Sequence, residues 1–167
     1  MPVIATGPIS LAVEAFRELF GSSTTARTWT NTASEATAKL RCYVESQPAD
    51  GPDEGVLPCV VVGLKEIKVR RGGYIAGVLS FIFYAKVDNA YQGDHVADID
   101  AFYTFVNNVG NIVSEMMSEA DNGGRLIIIE DSFKQVDRPH RPQRNEEQDH
   151  YEWEWELSFG PELAGGE

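Results

Sequence analysis

The chain has 167 residues, 43% of them apolar, and its 26 acidic against 14 basic side chains give a net charge of −12. A chain of that size builds one ordinary core without disulfide or metal staples. The charge argues against a general binder of nucleic acid or anionic membrane, because such proteins need a positive footprint.

The start, Met1 to Pro8, has no positive stretch and no long apolar run, so neither a secretion signal nor, further along, a membrane span of ~18 apolar residues is expected. Cys42 and Cys59 stand seventeen positions apart without clustered His, which suggests reduced thiols in a cytoplasm rather than a zinc site or a disulfide framework. Ser10 is expected to cap a helix over Leu11 to Phe20, with Ile9, Ala12, Val13, Phe16, Leu19 and Phe20 on one stripe and Gly21 as its stop. Ser22 to Asn31 is almost all small and hydroxylated apart from Trp29, and reads as an extended or irregular connection. Ser34 to Val44 fits a helix through Ala36, Leu40 and Tyr43, or a segment ending as a strand through Cys42 and Val44. Gln47 to Gly55 is an acidic Pro/Gly turn region.

Leu57 to Arg71 reads as a strand with Cys59 to Val62 as its apolar stretch; beyond Gly63, Ile67 and Val69 point inward while Glu66, Lys68 and Arg70 point outward. Arg71-Gly72-Gly73 turns the chain into a second strand, Ile75 to Val87. That strand is apolar on both sides, Leu79, Phe81 and Phe83 on one face and Val78, Ile82 and Tyr84 on the other. It is therefore either a central strand between two layers or one whose outer face docks on another subunit. Asp94 to Ala120 has the spacing of a long amphipathic helix, acidic in its first turns and ended by Asn122-Gly123-Gly124. Arg125 to Val136 is expected to be a strand built on Leu126 to Ile129, followed by a polar tip over Asp137 to Asp149. The final run, Tyr151 to Phe159, alternates without a break, placing Tyr151, Trp153, Trp155, Leu157 and Phe159 on a buried face and Glu152, Glu154 and Glu156 on the other. Three carboxylates at next-but-one spacing need water or a basic neighbour.

The expected fold is α+β: one domain over residues 1–167, with a mostly antiparallel sheet of about four strands in two hairpins, the second over about 125–160. The sheet packs against the long helix and a shorter N-terminal helix over about 10–20.

Constellations for chemistry are sparse. Asp94, His95 and Asp98 place acid and imidazole within one helical turn, and Asp149-His150 repeats the theme, but acidic residues beside a surface histidine are the simpler reading of both. No phosphate loop, nucleophile elbow or His-Glu-x-x-His motif occurs. Tyr151, Trp153 and Trp155 alternate with glutamates rather than bases, which favours core packing over base stacking. Two basic sets remain as interface candidates. Arg138, His140, Arg141 and Arg144 lie in a Pro-stiffened tip, and Lys65, Lys68, Arg70 and Arg71 lie against the face of Glu152, Glu154 and Glu156.

The order of elements resembles the tail terminator (tail completion) proteins of long-tailed phages, the lambda-like minor tail protein family. The resemblance rests on the leading helix, the run Leu57-Pro58-Cys59-Val60-Val61-Val62, the strand Gly77 to Phe83 feeding a long Asp-led helix, and the terminal hairpin of alternating aromatics and acids. It implies a virion protein at the head-proximal end of the tail, made in the host cytoplasm. It further implies a homo-oligomeric ring, usually of six subunits, that contacts the tail tube protein and the head-tail connector, with DNA as passing cargo, no membrane, no cofactor and no enzymatic activity. The alternatives are a head-completion or neck protein of the same joint, and a small metal-dependent hydrolase using Asp94, His95 and Asp98.

Overall fold

A computed structural model describes residues 7–44, 57–71, 74–87, 95–122, 128–142 and 150–160. In chain order these form α1 (Pro8–Ser22), α2 (Thr24–Trp29), α3 (Glu35–Lys39), β1 (Cys42–Val44), β2 (Cys59–Arg70), β3 (Tyr74–Lys86), α4 (His95–Asn122), β4 (Lys134–Gln135) and β5 (His150–Phe159). The α+β expectation holds, with a five-stranded sheet in the order β1-β2-β3-β5-β4. Every pairing is antiparallel except that of β1 with β2.

Several local expectations change. The first helix begins two residues before Ser10, capped by Gly7 with Pro8 in its first turn, because proline's fixed φ suits a position whose N–H needs no partner. The Ser/Thr stretch is not irregular: Ser23 accepts a 3.0 Å bond from the Ala26 amide and opens α2. Residues 34–44 are both things the sequence allowed, a capped helical turn and then a strand. The apolar run before Val136 does not make one continuous strand within the described residues. Ile128 bridges Phe159, a 3-10 turn covers Glu130–Ser132, and β4 is two residues long. There the Ser132 hydroxyl accepts from the Ser158 amide at 2.8 Å, so a side chain replaces a rung of the ladder.

The core lies between the helices and one face of the sheet. Phe16 of α1 packs on Phe81 with ring centroids 4.7 Å apart, Trp29 of α2 meets Phe83 edge-on at 6.0 Å, and Phe105 of α4 stacks on Tyr151 at 5.6 Å. Val60, Val62, Leu79, Phe81, Phe83, Trp153, Leu157 and Phe159 supply the sheet's side of this layer, as the period of two predicts. Among the described residues no helix is long and apolar enough to cross a membrane.

Candidate interaction surfaces

The other face of the sheet carries most of the sequence's interface candidates. At one end Cys59, Val61 and Tyr84 form a small buried cluster with Tyr43, Leu57 and Ile82 against it. β3 is thus a central strand with apolar groups on both sides, and its second face is partly closed by the chain itself. Burial pushes the Tyr84 hydroxyl up to about 12, with the carboxylates of Glu152 and Glu154 adding to the shift, and pushes the Cys59 thiol up to about 12. Cys42 is buried and its thiol is raised further by desolvation, so both cysteines are free, protonated and poorly nucleophilic. His150 is not the surface histidine expected: as the first residue of β5 it is buried and meets Tyr84 edge-on at 5.3 Å.

Along the same face the register sets Tyr84 opposite Glu152, Ile82 opposite Glu154, Ser80 opposite Glu156 and Val78 opposite Ser158. The three glutamates are half-buried rather than fully solvated. Ser80 donates to Glu154 Oε2 at 2.9 Å, while Glu156 is held by Lys65 Nζ at 2.6 Å and Lys134 Nζ at 3.0 Å. Hydrogen bonds from these two lysines hold the Glu156 carboxyl below its usual value and, reciprocally, Glu156 raises Lys65. Of the described members of the basic set expected against the glutamates, only Lys65 reaches them. It does so because β2 carries a bulge between Leu64 and Glu66, which makes Lys65 the extra residue. Lys68 and Arg71 are exposed further along the hairpin, and the side chain of Arg70 lies outside the described residues. Lys134 and Ser80 escaped sequence reasoning because only the strand register pairs them with glutamates.

The segment after β4 runs back along β5. His140 and Glu152 exchange backbone bonds of 2.8 and 3.3 Å, and the Trp153 indole donates to the Asp137 carbonyl at 2.9 Å. Arg138 is exposed, His140 and Arg141 are half-buried, and Arg144 lies outside the described residues. Over residues 136–142 this basic segment is therefore laid on the sheet edge rather than projecting from it.

Among the described residues no group of three or more His, Cys, Asp and Glu is placed to hold a metal ion. Asp94, the side chains of His95 and Asp98, and Asp149 all lie outside the described residues. No family model and no sequence among curated proteins matches the chain.

Proposed function

We propose that this protein is a structural subunit of a long-tailed phage that caps the tail tube as a closed ring, ends tube growth and offers the surface to which the head connector attaches. The observation that carries this reading is the two-faced β3 at the centre of the sheet. From Leu79 to Phe83 one face is covered by the helical layer, whereas the other carries half-buried Val78 and Ile82 beside a row of glutamates, and it is this second face that the reading assigns to contact with another chain. The element order and the α+β architecture support the resemblance, and a ring of strongly acidic subunits suits a lumen through which DNA slides without adhering.

Deletion of the gene, with electron microscopy of the resulting tails, tests this. Tails of irregular, extended length without heads are expected, and infectious particles with normal tails would remove the reading. Normal-length tails that fail to join heads would instead assign the chain a head-completion role at the same joint.

A further inference from the structure

We propose that the outer part of the β2–β3 hairpin is a docking arm that seats on the outward face of α4 of a second copy of this chain. Beyond the bulge, Ile67 pairs with Gly77 and Val69 with Ile75, on the face that carries Leu79 and Phe81 nearer the core. Their inward orientation is as the alternation requires, yet the described residues leave them open: Ile67 is 46% and Val69 78% exposed. The cause is the length of β5. Its last residue, Phe159, pairs with Gly77, and the chain then turns at Gly160, whose φ of 132° lies in the left-handed region. Residues 74–76 of β3 are paired with β2 alone among the described residues, so a two-stranded ribbon with an apolar face outruns the core. An isolated ribbon of that kind is marginal in water without a partner for its apolar face.

Charge selects the partner. Lys65 is already held by Glu156, but Lys68, on the face opposite Ile67 and Val69, and Arg71 at the turn are both exposed, so the end of the ribbon carries a net positive charge within a chain of net charge −12. Two such ribbons repel each other, which disfavours a symmetric arm-to-arm pair. The complementary surface is on the same molecule: α4 contains five acids and no lysine or arginine. Its outward side exposes Tyr103 at 57% and Met117 at 36%, about four turns apart on one flank, with Asp100 exposed beside Tyr103. A basic apolar arm on one copy and an acidic helix with exposed apolar side chains on the next make a head-to-tail contact, the kind that closes into a ring when its rotation permits. This assignment rests on the proposed self-assembling role and names the contact that would serve it.

Variants with one added cysteine give a direct test, because native Cys42 and Cys59 are buried and poorly nucleophilic. Val69→Cys protein is mixed with Met117→Cys or Tyr103→Cys protein and treated with a short bis-maleimide. Covalent dimers joining residue 69 of one copy to residue 117 or 103 of the other are expected, with at least a tenfold loss when Lys68→Glu and Arg71→Glu are added. Absence of mixed dimers, or links only between two residues 69, would overturn the assignment. If mixed dimers form while the deletion leaves tails normal, the ring-cap role fails and the contact stands. If tail length changes while no mixed dimer forms, the contact fails and the role stands.

Discussion

Gly77 is the residue on which the ribbon and the core divide. A Cβ built there would lie 2.2 Å from the backbone carbonyl oxygen of Glu66 and 2.9 Å from Phe159 Cζ, distances that no relaxation of one flexible side chain relieves. The missing side chain is what lets β2 cross the bulge while Phe159 closes the core beneath β3. Gly77→Ala is therefore expected to destabilise the fold by about 1–3 kcal/mol, the range for overpacking a well-filled site, as read from the shift of a urea unfolding midpoint. An unchanged midpoint would mean that the bulge and the end of β5 are not coupled through this position.

At the level of elements, three strands are tied on the outer face by one carboxylate, since Glu156 of β5 reaches Lys65 of β2 across β3 and Lys134 of β4 on its other side. Its carboxyl is held below the usual 4.5. The stabilisation this represents is present above that unfolded value and is lost as the pH falls through the lower folded value. Glu156→Gln should accordingly be less stable than the native protein at neutral pH, with the difference closing as the pH drops below 4.5. Thermal unfolding from pH 7 to pH 3 reads this directly, and a gap independent of pH would show that packing rather than charge is lost. The elements that were legible in the sequence are those with long internal periodicity: α1, β2, β3, α4 and β5 stand where spacing of 3.6 or 2 puts them. Those that were not legible depend on partners far along the chain. α2 has six residues of modest propensity, held by the Ser23 cap and by a 3.1 Å bond from the Thr25 amide to Glu115 of α4. β4 is short because Ser132 takes over a backbone position, and β1 is a parallel edge of three residues. The interface candidates divide in the same way. Glu152, Glu154 and Glu156 share one face as alternation dictates, whereas the bulge that sends Lys65 to Glu156 and leaves Lys68 beyond reach has no local signature.

Over the whole molecule, the charge of −12 is spread unevenly, with a basic ribbon at one end of the sheet and an unrelieved acidic helix on its covered face. Two forces of different range then act between copies. Overall repulsion between like-charged molecules acts over tens of ångströms at ~0.01 M salt, where the Debye length is about 30 Å, and is largely screened at ~0.15 M, where it is about 8 Å. The attraction between the arm and α4 acts across a few ångströms and survives that screening, but it weakens at ~1 M, where the Debye length falls to about 3 Å. Self-association is therefore expected to be non-monotonic in salt: weak at the lowest ionic strength, strongest at intermediate values and weaker again at the highest. Sedimentation velocity on the native protein across that range measures it, with the Lys68→Glu and Arg71→Glu variant as comparison. Each replacement turns a positive charge into a negative one, so the variant has a stronger overall repulsion and no local attraction, and any association it retains should only rise with salt. A native profile that falls steadily from the lowest salt would mean that the local attraction dominates at every range. A steady rise to the highest salt, matched by the variant, would leave Ile67 and Val69 as the whole of the contact and remove charge from the choice of partner.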